Sequence, residues 1–411
     1  MKISTVVVSA LLAVQASCAA TPRNDDYSQL QALVEQAAEV AKEELAAADS
    51  SSDVKRAPPP PGGGPGHCTL DKLSIRREWS TLSKKDRKAY TDACRCLAAK
   101  PPQTPASFAA GAKSRWDDFT ATHISQTPFI HFTGNFLSWH RWFVYQMEQA
   151  LRNECGYKGP MPYWDWAQTA QTGLLKHALF DGSEYSMSGD GAKVEQSGDI
   201  IVEQPTLPTL ILPTANGGGC IKSGPFKDWK VNMGPQQLSI PGGGVVGAPS
   251  GNPLDYNPRC LKRDLTDYIN RRFANATSVI KTLSEKTIGN FQARMQGNLD
   301  MVNGDIGIHG GPHYTLGGDP GRDVGVSPSD PMFFLHHGGV DRAWWIWQML
   351  DPKNRVYGNN AINGTGTFLN LPPSPEQTLD DTIELQHVTN EVITIRDLMS
   401  TTAGPFCYIY L

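Results

Sequence analysis

Histidines grouped in two distant parts of the chain constrain its fold more than any other feature. Seven of the ten histidines fall in two clusters that lie within residues 123–140 and 309–337. The clusters consist of His123, His131 and His140, and of His309, His313, His336 and His337. Imidazoles are largely neutral at pH 7, so several of them can approach one cation without a charge penalty. Three or more in each cluster predict two metal sites.

The type of ligand narrows the choice of metal. Imidazole suits copper, zinc, iron and nickel. A di-iron carboxylate site would need Glu and Glu-x-x-His ligands, and neither occurs near these histidines. A zinc hydrolase would usually add a carboxylate ligand or base. Three imidazoles per metal without a carboxylate therefore favour copper that cycles between oxidation states.

Hydrophobic periodicity predicts helices beside both clusters, and the predicted fold class is mainly α. Apolar and aromatic residues recur at helical spacing from Phe136 to Leu151. Ser329-Asp330-Pro331 is a typical helix start, and the helix that follows should continue to about Met349. Further helices are expected over residues 25–48, 82–96 and 265–283.

The pair His309 and His313 has the spacing that places two imidazoles on one helical face. The intervening Gly310-Gly311-Pro312 is a poor helix former, so only a short turn enforced by tertiary contacts is expected. The segment 182–257 is rich in Gly, Pro and Ser and should be largely irregular. Alternating residues predict short strands near 382–385, 391–395 and 408–410.

The N-terminal region has the features of a secreted precursor. A positively charged start and an apolar run over residues 6–14 are typical of a signal peptide, here residues 1–20. The run is too short for a membrane anchor, which needs about 20 apolar residues. Lys55-Arg56 precedes a Pro/Gly tract and predicts a propeptide over residues 21–56, although it could also be a solvated charge pair. One catalytic domain would then occupy residues 57–411.

Cysteines and net charge bear on the compartment and the partners. Seven of the eight cysteines follow the predicted signal peptide, and outside the cell they favour disulfides with at least one thiol left over. Cys220 and Cys260 flank a Gly/Pro-rich loop and are one expected bridge; the remaining connectivity is open. Sequons at Asn275 and Asn363 are consistent with a secreted glycoprotein. A net charge of −4 gives no reason to expect nucleic acid or an anionic membrane as partner.

Three motifs carry a resemblance to one family of copper proteins. The segment Ser327–Trp345, SPSDPMFFLHHGGVDRAWW, closely resembles the second-copper signature of tyrosinases, catechol oxidases and molluscan haemocyanins. The segment from His131 through His140-Arg141-Trp142-Phe143 resembles the first-copper signature, and Pro162-Tyr163-Trp164-Asp165-Trp166 resembles the motif that follows it. Because the motifs are long and specific, the chain is identified as a member of this family over about residues 68–410.

The resemblance implies a type-3 dicopper centre in a four-helix bundle that is wrapped by long loops with a few short strands. It implies that one copper ion is bound by His123, His131 and His140, and the other by His309, His313 and His337. In the family the second histidine of the adjacent pair is the ligand, so His336 is expected to be a buried neighbour. One site needs both clusters, and they should therefore belong to one domain.

Three further residues are expected beside the copper ions. Asp341 lies one helical turn after His337 and is expected to orient that ligand. Phe333 lies one turn before His337 and, by the same resemblance, should pack on a ligand imidazole. Tyr314 follows His313 directly and is expected near the ligands or the substrate entrance.

Departures from the family pattern bear on the substrate. Members that act well on monophenols often carry Asn where this chain has Gly310, and that Asn helps an acidic residue to hold a water that deprotonates the phenol. No Glu lies close upstream of His309, and Gln296 and Asn298 are the nearby amides. Val324 stands where plant catechol oxidases often carry Phe, which predicts an open entrance. Phe129 stands where some fungal members have a Cys that is bonded to a histidine.

Taken with the resemblance, these features predict a secreted, monomeric enzyme that uses two copper ions and O2 to oxidise small phenols. o-Diphenols are the expected substrates, with o-aminophenols as further substrates and weaker action on monophenols. The alternative function is reversible O2 transport of the haemocyanin kind, which the open position at Val324 disfavours. The chain stops after Tyr408-Ile409-Tyr410, which resembles the motif that closes the catalytic core, so no C-terminal shielding domain is expected.

Overall fold

The computed structural model describes residues 24–50, 68–204, 207–297 and 301–411. The described chain is mainly helical with short paired strands, which confirms the predicted fold class. Its helices are α1 Asn24–Ser50, α2 Lys84–Ala99, α3 Arg115–Ile130, α4 Phe136–Cys155, α5 Trp166–Thr172, α6 Asp267–Phe273, α7 Ala276–Leu283, α8 Ile288–Met295, α9 Gly307–Leu316, α10 Gly318–Gly321, α11 Met332–Met349 and α12 Pro352–Arg355. Its strands are β1 Ser74–Arg76, β2 Gly191–Lys193, β3 Ile200–Gln204, β4 Leu207–Leu212, β5 Gly218–Ile221, β6 Lys230–Val231, β7 Leu238–Ser239, β8 Val245–Val246, β9 Arg259–Cys260, β10 Thr382–Glu384, β11 Val392–Thr394 and β12 Tyr408–Tyr410.

The predicted helices are present, but two differ in extent. The helix expected over residues 265–283 is two helices, α6 and α7, because Asn275 leaves the helical conformation and its Oδ1 accepts a hydrogen bond from Ser278 N at 2.9 Å. Where only a short turn was expected around His309, α9 has ten residues. α9 packs closely on α6, since a Cβ at Gly311 would lie 2.5 Å from Phe273 Cβ. This packing stabilises a helix that local propensity disfavours.

The helix α3, which carries His123, cannot be found from hydrophobic periodicity. Every residue from Arg115 to Ile124 is buried, so no polar face alternates with an apolar one. The signal that marks its start is a capping box. Ser114 Oγ accepts from Asp117 N at 3.3 Å, and Asp117 Oδ2 accepts from Ser114 N at 2.9 Å.

The centre of the molecule is formed by α3, α4, α9 and α11. α11 is buried along its whole length and packs against α4 and α9, and α3 packs against α4. A helix that is buried all round belongs in the middle of a fold, and α11 has that place. The segment 182–257, expected to be irregular, forms short antiparallel pairs with its neighbours: β2 with β5, β3 with β4, β6 with β9 and β7 with β8.

Strands and disulfides join parts of the chain that are far apart in sequence. The three predicted C-terminal strands are present, and β12 pairs in parallel with β1. The expected Cys220–Cys260 bridge is confirmed, and two further bridges join Cys68 to Cys407 and Cys96 to Cys155. The remaining described cysteine, Cys94, is a buried free thiol. Within the described ranges, the helices lack the length and apolarity that a membrane crossing would require.

Helix α1 lies in the segment predicted to be a propeptide and is part of the folded core. Its inner face packs against α7, α11 and β12 and contains Leu30, Val34, Ala37, Ala38 and Ala41. At one end Tyr27 OH donates to Asp165 Oδ2 at 3.4 Å, and towards the other end Leu45 packs with Cys68 and Cys407. Residues 1–20 and the dibasic pair Lys55-Arg56 lie outside the described residues, so signal cleavage and processing stay predictions.

The buried face of α1 yields a stability prediction. Ala38→Asp is expected to lower the free energy of unfolding by about 3 kcal/mol or more, because the side chain is 1% exposed and its carboxylate would be buried without a partner. Ala32→Asp on the exposed face is the matched control and should change it by less than about 0.5 kcal/mol. Denaturant unfolding of the full chain measures both. Equal effects of the two variants would contradict the packing of α1.

Candidate metal centre

The two histidine clusters meet at the centre of the helix bundle. His123 lies on α3 and His140 on α4, while His131 directly follows the last residue of α3. The second cluster comes from α9 and α11. The ring centroids of His140 and His337 are 4.4 Å apart, and those of His131 and His309 are 5.9 Å apart. The bundle therefore turns two sets of imidazoles towards one another.

In the first cluster, backbone carbonyls determine which ring nitrogen is free. His123 Nδ1 contacts Gly325 O at 2.8 Å, His131 Nδ1 contacts Thr127 O at 3.1 Å, and His140 Nδ1 contacts Phe136 O at 2.8 Å. A carbonyl oxygen can only accept, so each Nδ1 carries the proton and each Nε2 has its lone pair free. The candidate ligand atoms of the three residues lie within 4.8 Å of one another. This arrangement is suited to one metal ion.

The second cluster contains four histidines whose candidate ligand atoms also lie within 4.8 Å of one another. His309 and His313 project from neighbouring turns of α9, with ring centroids 5.1 Å apart. The adjacent pair on α11 has different surroundings. His337 stacks on His140 of the first cluster, whereas His336 stacks on His309 and contacts Trp166 at 5.4 Å. His337 is thus the member of the pair that faces the first cluster.

Buried imidazole nitrogens that lack a hydrogen-bond partner indicate whether metal ions would fit the site. Buried polar atoms normally have a hydrogen-bond partner. The Nε2 atoms of four of the six expected ligands are buried without one among the described residues: His123, His140, His309 and His337. Nitrogen lone pairs that point into a shared interior without a donor are the arrangement that bound metal ions would satisfy. The residues present therefore fit two imidazole-bound metal ions.

Burial keeps these imidazoles neutral. It lowers the pKa of His131 to about 4 and that of His313 to about 3, and the nearby His131 adds to the lowering at His313. The pKa values of His123, His140 and His337 are lowered well below 6.5 by the same causes. A neutral imidazole is the form that binds a metal ion, so the fold prepares the ligands at neutral and mildly acidic pH.

Metal-free protein is expected to lose stability as the pH falls from about 6.5 to about 4. In the unfolded chain a histidine takes up its proton near pH 6.5, whereas folded His131 does so only near pH 4. The unfolded state then binds more protons, and the free energy of unfolding falls by about 1.4 kcal/mol per pH unit for each such histidine. Thermal unfolding across this window measures the loss. His131→Gln should reduce the slope, and an unchanged slope would contradict the buried neutral form.

Of the two residues expected to contact His337, Phe333 does so and Asp341 does not. Phe333 stacks on the His337 ring at 4.1 Å and lies 5.2 Å from the His123 ring, as expected. Asp341 does not have the expected contact with His337, whose ring nitrogens have no hydrogen-bond partner among the described residues. Its carboxylate accepts instead from Arg141 Nε at 2.5 Å and from the hydroxyls of Tyr408 and Tyr410.

The role of Asp341 is to join α11 to the C-terminal strand and to α4. Burial alone would raise its pKa, but Arg141 and Arg76 lower it below the ordinary value, so the group is ionised. Sequence spacing suggests the wrong partner here because residues one turn apart share a face, and the Asp341 side chain finds stronger, charged donors on other elements. Its removal would leave two buried arginines short of an acceptor.

The residues expected around the entrance are partly exposed. Gly310, His313 and Tyr314 on α9 are half-buried, and Val324 is 43% exposed. Tyr314 OH lies 3.4 Å from Ser239 Oγ, and its ring packs on a smaller apolar cluster beside β3 and β4. Phe129 is 51% exposed. The most exposed of these residues, Phe129 and Val324, therefore lie in the last turn of α3 and in the loop before α11.

Of the two amides considered as holders of a catalytic base, Gln296 is engaged in other hydrogen bonds. Gln296 Oε1 accepts from Phe132 N at 2.7 Å, and its Nε2 lies 3.4 Å from Gln292 O. Its carboxamide therefore fixes the backbone directly after His131. Asn298 lies outside the described residues.

Other functional groups in this region cannot be identified from side-chain patterns. The carbonyl that orients His123 belongs to the backbone of Gly325, and the residue type does not indicate this role because every residue has a carbonyl. Asp323, two residues earlier, accepts from the backbone N–H groups of Gln236 at 2.6 Å and Gln237 at 3.2 Å. Burial raises its pKa to about 6. These contacts hold the loop that carries both Val324 and the Gly325 carbonyl.

Comparison with known proteins supports this geometry. Residues 113–350, which include both clusters, match the family model described as the common central domain of tyrosinase. Tyrosinase P of Aspergillus terreus is 42% identical over 83% of this chain and 92% of its own length. N-acetyl-6-hydroxytryptophan oxidase of Emericella nidulans is 37% identical over 84% of this chain and 93% of its own. The solved structure of a polyphenol oxidase variant from Thermothelomyces thermophila is 42% identical, with a TM-score of 0.84 over 94% of this chain and 100% of that one.

Proposed function

The chain belongs to the tyrosinase family of oxidoreductases, and from that premise we propose that it oxidises o-diphenols to o-quinones with O2 at a dicopper centre. The observation that carries the proposal is the pair of imidazole sets that face one another, in which four of the six Nε2 atoms are buried without a hydrogen-bond partner among the described residues. We propose that His123, His131 and His140 bind one copper ion. His309, His313 and His337 would bind the other.

The chemistry of the bound group is electron transfer: when bound, copper would pass electrons from the phenol to O2. Two o-diphenols lose four electrons and four protons in total and become o-quinones, and one O2 accepts them and becomes two waters. The chain itself holds the three imidazoles of the first cluster in one tautomer through the carbonyls of Thr127, Phe136 and Gly325. Phe333 packs over His337 and keeps the inner side of the site apolar. O2 and small phenols are therefore the proposed partners.

The preference for diphenols rests on what surrounds Gly310. An o-diphenol needs only to bind and donate electrons, while a monophenol must first lose a proton whose pKa is near 10. Gly310 has no side chain to position a water, and the Gln296 carboxamide is engaged with Phe132 and Gln292. Monophenols should therefore react more slowly, and o-aminophenols, which carry an amine beside the hydroxyl and can likewise lose two electrons and two protons, are further candidates.

Reversible O2 transport is the alternative function. A carrier would bind O2 and release it unchanged, so its site should exclude phenols. Val324 at 43% exposure and the partly exposed Gly310 favour a site that phenols can reach. We also propose, from the expected signal peptide and the three disulfides, that the protein acts outside the cell as a monomer.

Oxygen uptake by the copper-loaded protein tests the proposed function. Catechol, 2-aminophenol and tyrosine should be compared in parallel, with rapid uptake expected for catechol, a measurable rate for 2-aminophenol and the slowest rate for tyrosine. Quinone absorbance must rise in proportion to oxygen consumed. Reversible O2 binding without quinone formation would establish the carrier, and uptake that is fastest with tyrosine would refute the diphenol preference.

A further inference from the structure

Large apolar side chains are exposed around the segment that carries His131. Phe129 is 51% exposed, Leu369 45% and Leu371 72%. The partly buried Phe132 and Phe368 join them, with ring centroids 5.0 Å apart in an edge-to-face contact. The 3₁₀ turn Phe368–Asn370 lies against α3, whose last turn carries Phe129. We call these five residues the apolar patch.

The loop that presents the two leucines is held in one conformation. Thr367 Oγ1 donates to Pro372 O at 2.6 Å, and Ser374 N donates to Asn370 Oδ1 at 2.8 Å. Leu369 has a φ of 50° and Asn370 a φ of 58°, which lie in the left-handed region that side chains rarely adopt. Such conformations persist only where the surroundings enforce them, and they cluster at functional sites. The loop thus holds two leucines in solvent at a conformational cost.

Hydrogen bonds connect this loop to the segment between two expected copper ligands, His131 and His140. Gly134 N donates to Thr365 O at 3.0 Å, and Asn135 N donates to Gln377 Oε1 at 2.7 Å. Phe132 also has a positive φ, 53°, and its N–H is held by Gln296. The apolar patch and the ligand segment therefore form one rigid frame.

The chain segments that form the apolar patch are themselves uncharged, and the Glu376 carboxylate at their edge accepts from Gly364 N at 3.0 Å. Residues 127–135 and 364–374 contain no Asp, Glu, Lys or Arg. Exposed apolar surface of this kind marks interaction sites, and an uncharged surface disfavours the ammonium and carboxylate groups of an amino-acid substrate because it cannot replace their water. A neutral, apolar group is the chemistry that this surface matches.

We propose that the apolar patch binds an apolar substituent of the phenol, so that the preferred substrates are o-diphenols with an alkyl or aryl group on the ring. The inference rests on the proposed oxidation of o-diphenols. The ring would reach the metal centre beside His131 while the substituent lies over Leu369 and Leu371. Phe129, Leu369, Leu371, Phe132 and Phe368 then determine specificity without touching the reacting atoms.

A homologous series of substrates tests the proposal. From catechol through 4-methylcatechol and 4-ethylcatechol to 4-butylcatechol, kcat/KM should rise about twofold per carbon and about 15-fold overall, as half-burial of each carbon predicts. The gain should appear mainly in KM, because the substituent is bound equally before and during reaction. In the double variant Leu369→Asn, Leu371→Ser the ratio of butylcatechol to catechol should fall towards one. Asn is chosen at position 369 because it tolerates a positive φ.

The matched control is Leu175→Ser, a leucine that is 56% exposed in a different part of the fold, and it should keep the ratio. Binding of 4-butylbenzoate and benzoate by calorimetry supplies a readout without turnover, with an expected Kd ratio of about 15 that the double variant abolishes. Loss of oxygen uptake with an intact Kd ratio would reject the proposed function alone. If neither kcat/KM nor Kd changes with the length of the alkyl group, the proposed role of the apolar patch is rejected. It is also rejected if the double variant changes only self-association, measured by sedimentation velocity.

Discussion

His337→Ala is expected to remove one copper ion per chain and to lower catechol oxidation by more than about 100-fold. Removing a residue that only orients a ligand costs up to about 100-fold, and removing the ligand itself should cost more. His337 stacks on His140 of the first cluster, and both of its ring nitrogens lack hydrogen-bond partners among the described residues. The substitution takes one of three proposed imidazoles from one copper ion. Copper content by mass spectrometry and oxygen uptake with catechol measure the two effects.

His336→Ala is the matched control, because it removes the same side chain one residue away. His336 is fully buried and lies against His309 and Trp166, on the side away from the first cluster. The variant should lose stability through the cavity it leaves, yet retain two copper ions and catechol oxidation within about tenfold of the unmodified enzyme. If His336→Ala loses copper and His337→Ala keeps it, the assignment of the pair must be reversed.

Long motifs and helix signals made the central helices predictable. The start at Ser329-Asp330-Pro331 and the buried run after it correspond to α11, and the periodic residues from Phe136 correspond to α4. By contrast, α3 has no periodicity from Arg115 to Ile124 because that part is buried all round, and α9 is a helix only because α6 and α8 pack on it. Tertiary contacts decided both, and local sequence does not contain them.

The candidate site shows the same division between side chains and their surroundings. The histidines could be recognised as ligands because imidazole carries its chemistry in its residue type. The carbonyls of Gly325 and Thr127 that fix their tautomers could not, because every residue has a carbonyl. Asp341 lies one helical turn from His337, a spacing that suggests contact with this expected ligand. Its carboxylate instead forms ion pairs with Arg76 and Arg141, which are distant in sequence. Spacing predicts which residues can meet along one helix, and charge decides among partners from other elements.

Gly310→Asn is expected to raise the activity on tyramine relative to catechol by about tenfold or more, because general-base assistance of proton loss is worth about 10²–10⁴-fold. The new amide could position a water near a phenol hydroxyl. Glycine has no side chain and cannot do this. The substitution should be accommodated, since a Cβ at this helical position would lie 3.3 Å from Ile306 Cβ, and a shift of a few tenths of an ångström relieves the contact. Initial rates of oxygen uptake with tyramine and with catechol give the ratio.

Gly310→Ala separates the amide from the added bulk. It introduces the same Cβ beside Ile306 but no hydrogen-bonding group, so its ratio of tyramine to catechol oxidation should stay that of the unmodified enzyme. The unmodified enzyme should itself favour catechol over tyramine by about 10²-fold or more, since proton loss from the monophenol is unassisted there. If the alanine variant raises the ratio as much as the asparagine variant, the shape of α9 and not a held water governs the preference. Equal rates on the two substrates in the unmodified enzyme, without a lag, would show that another group already deprotonates the monophenol.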